Sequence, residues 1–197
     1  LPQCGLDPDL CAPPPARDPG RAVVIGSANR RLVPEKGVDL LLRAAARLPG
    51  VWRLHIAGEG PSLPHLRQLA ADLGLAGRVH FDGAIPSDQI PGYLRDMDAL
   101  VLSSRTLPNW KEQFGRILVE AMACGVPVIG TRSGEIPHVI GDAGLIVPEE
   151  DSDALQAGLL QLMQNDELRR DLGRRGRERV LERFTQARIA AETVDVY

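Results

Sequence analysis

Glu112-Gln113-Phe114-Gly115-Arg116-Ile117-Leu118-Val119-Glu120-Ala121-Met122-Ala123-Cys124-Gly125 opens on an acidic residue and a glycine-containing turn, then runs into an apolar stretch of helical period. The pattern predicts a loop feeding a helix over Phe114 to Ala123, with Val126 to Thr131 following at once as a strand. Glu112 then lies at the mouth of the helix and Glu120 about two turns deeper. Helix starts expose unpaired N–H groups and a positive dipole end, so they attract phosphate. Carboxylates beside such a start can accept hydrogen bonds from hydroxyl groups held in fixed positions.

The same alternation of apolar strand and amphipathic helix continues on both sides. Arg21 to Ser27 reads as a strand, Val38 to Leu48 as a helix closed by Pro49-Gly50, and Val51 to Ala57 as a strand. A helix over Ser62 to Leu73 closed by Gly74, a strand over Val79 to Gly83, a helix around Ser87 to Met97 and a strand over Ala99 to Ser103 lead into the quoted stretch. Gly144 to Val147 is the last strand. Apolar strands separated by helices of about 10 residues or more imply a parallel sheet covered on both faces. The expected fold is therefore α/β, a doubly wound Rossmann-like domain over residues 21–183, with extra C-terminal helices. Those helices are expected over Ser152 to Met163, with Ser152 as its cap, over Asp166 to Arg183 and over Thr185 to Val196. Residues 1–20 are proline-rich and read as a linker or lead-in.

With 197 residues and 44% hydrophobic content the chain can bury one core. A net charge of −3, with both signs interspersed, gives no expectation of nucleic-acid binding. The cluster Arg169, Arg170, Arg174, Arg175, Arg177 and Arg179 alternates with Asp171, Glu178 and Glu182, as in a solvated, salt-bridged helix. No apolar run reaches the roughly 18–20 residues of a membrane span, and no signal peptide is visible. Three cysteines, Cys4, Cys11 and Cys124, supply neither a disulfide framework nor a zinc site, although Cys4 and Cys11 could pair by spacing. The expected compartment is reducing and cytoplasmic.

In open α/β sheets ligands bind beyond the carboxyl ends of the strands, where the strand order reverses. Arg31, Lys36, Gly58, Gly60, Ile85 and Glu112 all fall just past a predicted strand end. A guanidinium and an ammonium on the loop after the first strand suit a diphosphate, unless they are plain surface cations before a helix. Gly58 and Gly60 share the spacing of a dinucleotide fingerprint, but Leu63 occupies the third glycine position and NAD binding is disfavoured. They serve either a tight turn or a close approach of backbone to ligand. Glu120 lies among Ile117, Leu118, Ala121, Met122 and Cys124, where an unpartnered carboxylate is costly. A phosphate held between two hydroxyl-reading acids is the pattern of a nucleotide-sugar site. His55, His65, His80 and His138 show no metal-ligand spacing.

These residues resemble those of retaining glycosyltransferases of the two-domain GT-B fold, most closely family 4. Glu112 to Glu120 looks like the Glu-x7-Glu signature of that family. Arg31-Leu32-Val33-Pro34-Glu35-Lys36-Gly37 resembles its Arg-x-x-x-x-Lys-Gly segment, with Arg30 where glycine is common, and His80 to Pro86 resembles its base-side strand end. Ser133 to Pro137, with His138 in place of the usual Glu, and Gly144 to Pro148 are similar to later landmarks. Pro2 to Asp7 is similar to the segment after the interdomain linker, which implies the C-terminal half of a longer protein.

The resemblance implies a donor-binding domain that moves sugar from a UDP-, GDP- or ADP-linked donor to an acceptor hydroxyl. Arg31 and Lys36 would steady the departing diphosphate, and Glu112 would hold the transferred sugar. Backbone at Phe114 and Gly115, with Arg116 and Ile117, would face the phosphates. Glu120 would take the ribose hydroxyls and backbone at Ile85 the base. No cofactor is implied, and metal independence is expected. The missing N-terminal domain would be a partner, would receive the last helix (184–197) and could bring peripheral membrane contact. The isolated chain is expected to bind donor and transfer little or nothing. The alternative is a non-catalytic GT-B-like interaction domain with a vestigial pocket. A dinucleotide oxidoreductase lacks its third glycine, and a sugar phosphorylase lacks a pyridoxal lysine.

Overall fold

A computed structural model describes Cys11 and residues 21–186. The strands are β1 (Val23–Arg31), β2 (Trp52–Glu59), β3 (Val79–Gly83), β4 (Ala99–Leu102), β5 (Val128–Thr131) and β6 (Leu145–Val147). They form one sheet in the order β3-β2-β1-β4-β5-β6, parallel at every pairing. The order reverses between β1 and β4, as in doubly wound nucleotide-binding folds. The helices are α1 (Val38–Ala45), α2 (Leu63–Asp72), α3 (Ile90–Arg95), α4 (Arg116–Ala123), α5 (Ile136–Ile140), α6 (Ser152–Gln164) and α7 (Asp166–Arg183).

Both faces of the sheet are covered, so β4 and β5 are buried at every residue. Along β2, Trp52, Leu54 and Ile56 point to one face by the period of two and pack with Leu41, Leu42, Leu155 and Leu159 under α1 and α6. Leu100, Leu102 and Val128 point to the other face, under Leu94 of α3, Leu118 and Met122 of α4, and Ile136 and Ile140 of α5.

The first strand runs to Arg31 rather than ending at Ser27, because Ala28 still pairs with Ala57 and Arg31 with Glu59 across a bulge. Its polar end hid this from the hydrophobic pattern. The cap of α6 is Asp151, not Ser152: the Asp151 carboxylate accepts from the N–H groups of Asp153 (3.1 Å) and Ala154 (2.8 Å). The stretch after Ser133 holds a short helix, α5, beyond the expected turn.

Helix α7 is salt-bridged on its outer face, where Arg174 meets Asp171 (2.7 Å) and Glu178 (2.9 Å). The other side is not solvated. Arg177 donates to the carbonyls of Cys11 and Ala123, and Arg179 to those of Val139 (2.8 Å) and His138 (2.6 Å). These guanidiniums satisfy carbonyls at the ends of α4 and α5 that lack intrahelical partners. Close approach is possible because a Cβ on Gly173 would sit 2.3 Å from the Gly125 carbonyl oxygen. Cys11 and Cys124 are buried free thiols. A pairing of Cys4 with Cys11 and the lead-in over 1–20 fall on residues outside the described set, Cys11 apart. Most of the expected last helix lies outside it too.

Candidate functional site

The loops after β1 and β4 meet where the strand order reverses. Pro34–Lys36 makes a single tight turn that ends on Gly37, whose φ of 60° is left-handed. A Cβ there would lie 2.0 Å from the carbonyl oxygen of Ser103, the residue after β4. Ser103 answers by donating its hydroxyl to the carbonyl of Gly37 (2.9 Å). Only glycine permits both the conformation and the contact. The two loops are thereby locked together, and Lys36 is carried over the end of β4.

Lys36 Nζ donates to Glu112 Oε2 at 2.7 Å, and the buried Ser104 hydroxyl donates to the same oxygen at 2.8 Å. The side chains of Lys36 and Glu112 are 20% and 11% exposed, so the pair is largely desolvated yet still open on one side. Both bonds go to Oε2, and Oε1 has no bond to any described residue. Thr131, at the end of β5, donates its hydroxyl to the Ser104 carbonyl. Gly134 packs on the Glu112 backbone, where an added Cβ would lie 1.9 Å from its carbonyl oxygen. The Glu135 N–H donates to that same oxygen at 3.0 Å. Farther along the loop, Arg105 pairs with Asp39 (2.8 Å) and Glu150 (2.7 Å), while Thr106 gives Glu149 its N–H (2.6 Å) and its hydroxyl (2.7 Å). The loop bearing Glu112 is thus pinned to α1 and to the segment after β6.

Helix α4 begins at Arg116, two residues later than the sequence pattern suggests, with left-handed Gly115 before it (φ 72°). Gly115 offers α4 no side-chain cap, so among the described residues its first N–H groups and dipole are left open at the carboxyl end of the sheet. Phe114 and Gly115 belong to the loop. The Phe114 ring packs edge-on against Phe184 at 5.9 Å, which ties the site to the end of α7. Arg116 is exposed and donates to Glu120 Oε1 at 2.9 Å. Burial pushes the Glu120 carboxyl above the ordinary carboxylate value, and the Arg116 hydrogen bond only partly offsets this. Ile117 is half-buried in the core below the helix.

Arg31 is the last residue of β1, exposed like Arg30, with no ion pair to a described residue. It stands at the carboxyl edge, one strand from Lys36 and Glu112, without touching them. Gly58 and Gly60 pack on the end of β1: a Cβ would meet the Asn29 carbonyl oxygen at 2.1 Å and the Leu32 carbonyl oxygen at 2.4 Å, respectively. Their bare faces meet the chain's own backbone, which accounts for glycine at both places. Ile85 follows β3, two strands from β1, roughly 10 Å away at the usual strand spacing. That is the reach of a nucleoside from its phosphates.

Ser104 and Thr131 carry no conspicuous sequence signal, while Gly134 stands in the Ser133 to Pro137 landmark, where its packing on Glu112 is not legible. His55 Nδ1 lies 3.1 Å from Asp82 Oδ2, and Tyr93 donates to the same oxygen at 2.9 Å. Among the described residues no group of His, Cys, Asp and Glu could hold a metal ion. A cavity of about 420 Å³ lies elsewhere, at the open sheet edge between α2 and β3, lined by Arg67, Leu75 and His80. Arg67, His80 and Asp82 stand in its wall, but it lies at the sheet edge and not where the strand order reverses, so the switch point is the better candidate.

The sheet order and the loops that meet at its reversal define a doubly wound α/β domain of the nucleotide-binding kind. Residues 19–179 match the model of the glycosyl transferases group 1 family, and the chain belongs to that family. It is 34% identical over 197 residues to the GDP-mannose-dependent alpha-(1-6)-phosphatidylinositol monomannoside mannosyltransferase of Mycolicibacterium smegmatis, covering 91% of this chain and 51% of that one. The sucrose-phosphate synthase of Thermosynechococcus elongatus superposes with a TM-score of 0.86 at 27% identity, over 98% of this chain and 50% of that one. HepE of Anabaena, solved with UDP and glucose, shares the fold with a TM-score of 0.84 at 24% identity, over 98% and 56%. The chain spans about half or less of the length of the curated relatives it matches. Among the described residues no helix is long and apolar enough to cross a membrane.

Proposed function

We propose that this chain is the donor-binding half of a retaining, metal-independent glycosyltransferase. The observation that carries the reading is the Lys36–Glu112 pair, 2.7 Å apart and largely desolvated, at the switch point between β1 and β4. Lys36 and Arg31 would face the diphosphate. As the bond from the anomeric carbon to the phosphate oxygen breaks, charge grows on that oxygen, and preorganised cations there stabilise it. Glu112 Oε1, which bonds no described residue, would accept a hydroxyl of the sugar, and the start of α4 with Arg116 would meet the phosphates. Glu120 would accept the ribose hydroxyls, and backbone at Ile85 would meet the base. The acceptor oxygen then bonds to the anomeric carbon with its configuration kept, its proton leaving with the departing diphosphate, on groups supplied mainly by an N-terminal domain. By itself the chain would bind donor and transfer little or nothing. Two buried free thiols suit a reducing, cytoplasmic setting.

A desolvated ion pair with a committed serine donor argues against a vestigial pocket, since such pairs are costly to keep without use. Several charge-assisted hydrogen bonds of about 1.5–3 kcal/mol each, less the cost of association, point to dissociation constants from about millimolar to tens of micromolar. Calorimetric titration with UDP, GDP, ADP and NAD tests the reading. Saturable binding of one nucleoside diphosphate, weakened by Glu120→Ala, is expected and names the base. Binding of NAD alone, or of none, would sink it.

A further inference from the structure

Trp110 has no part in the site as described so far, yet its ring lies against the residue at its centre. Lys36 Nζ stands 4.9 Å from the centroid of the Trp110 ring, over its face. The ring is held by a tight turn, Leu107-Pro108-Asn109-Trp110. Two backbone hydrogen bonds close it, from Leu107 N–H to the Trp110 carbonyl (2.7 Å) and from Trp110 N–H to the Leu107 carbonyl (3.1 Å). The neighbouring residue, Thr106, is clamped to Glu149. The ammonium therefore has two attachments of different kinds: the Glu112 carboxylate and the negative face of an indole.

The two respond differently when a ligand arrives. A carboxylate can redirect its lone pairs to hydroxyl donors, and its hold on Lys36 then weakens. A ring face has no better partner to turn to, and its attraction for a cation grows as water is displaced. We propose that Trp110 is a positioning residue for Lys36, holding the ammonium at the phosphate position while Glu112 turns to the sugar. The inference rests on the donor-site reading of Lys36 and Glu112. It assigns to Trp110 the binding of a nucleoside diphosphate through Lys36, not through direct contact.

The test is the affinity of the chain for whichever of UDP, GDP and ADP binds it, measured for Trp110→Phe and Trp110→Leu. Phenylalanine keeps a ring face and leucine keeps apolar bulk without one. The expected result is an affinity about 5-fold to 30-fold weaker with leucine and largely recovered with phenylalanine. Equal losses in the two variants, or no loss with leucine, would overturn the inference. A second reading comes from the Lys36→Met background, where Trp110→Leu should add nothing if it acts through Lys36. Additive losses there would make Trp110 a structural residue only. If the unaltered chain binds none of the three nucleotides, the donor-site reading itself fails and this inference falls with it.

Discussion

Gly134→Ala tests whether the position of Glu112 is set from outside its own loop. Gly134 has a φ of 51°, and a Cβ there would lie 1.9 Å from the Glu112 carbonyl oxygen and 2.9 Å from its carbonyl carbon. Both atoms belong to backbone, so one segment must retreat by more than about 1 Å to reach ordinary contact. Gly74 is the matched control, with a φ of 69° and nothing within 4 Å of the added methyl. Gly74→Ala bears only the left-handed penalty of about 1–2 kcal/mol, part of it offset by about 0.4–1 kcal/mol from a stiffer unfolded chain. Its melting temperature should fall by roughly 0–6 °C for a domain of this size. Gly134→Ala adds an overpacking cost of about 1–3 kcal/mol, and its midpoint should fall by roughly 2–18 °C, about 2–12 °C further than the control. On the donor-site reading proposed above, displacing Glu112 by about 1 Å should also lower sugar transfer by the complete enzyme on the order of 100-fold. Thermal denaturation of both variants and kcat/KM for transfer are the measurements. If Gly134→Ala melts like Gly74→Ala and transfers like the unaltered enzyme, the packing of Gly134 does not position Glu112.

The acid at Glu120 makes a pH prediction. Its carboxyl is raised above the ordinary value of 4.5, so the folded state holds this proton to higher pH than the unfolded chain. Its contribution to stability is therefore largest below the unfolded value and declines as pH rises through the raised one. Urea midpoints followed across that window should show this slope, and Glu120→Gln should remove it. Ribose hydroxyls favour the ionised carboxylate, so nucleotide affinity should rise with pH over the same window; a flat profile would contradict the role given to Glu120. Asp151→Ala should cost about 1 kcal/mol, a fall of roughly 2–4 °C, while Ser152→Ala leaves the melting curve in place; the reverse order would refute the cap assignment. Arg179→Ala strips donors from the Val139 and His138 carbonyls and should cost about 1–3 kcal/mol. Arg174→Ala, on the exposed face of the same helix, should leave the melting midpoint unchanged.

The strands and helices were legible because their signals are local. Trp52, Leu54 and Ile56 alternate as a half-buried strand must, and Arg116 to Ala123 repeats with the period of a helix packed on a sheet. Boundaries failed where polar residues continue a strand, as at Asn29 to Arg31, or where two cap residues compete, as at Asp151 and Ser152. The two acids and Lys36 could be singled out because charge next to a strand end or inside an apolar helix is conspicuous. Ser104, Trp110 and Thr131 could not, since each acts on a residue distant in the chain, and Gly134, though inside a landmark motif, gains its role only from backbone geometry.

The one-dimensional pattern of apolar residues and glycines thus determined every strand and every helix but α5, the parallel sheet and the edge on which a ligand would sit, because periodicity and turn chemistry act over a few residues. Only the tertiary structure decided that Lys36 and Glu112, 76 positions apart, share one oxygen with Ser104. It also decided that the glycines at 37, 58, 60 and 134 serve close packing of backbone on backbone. Contacts of that kind depend on which loops the strand order brings together, and no local stretch of sequence carries that information.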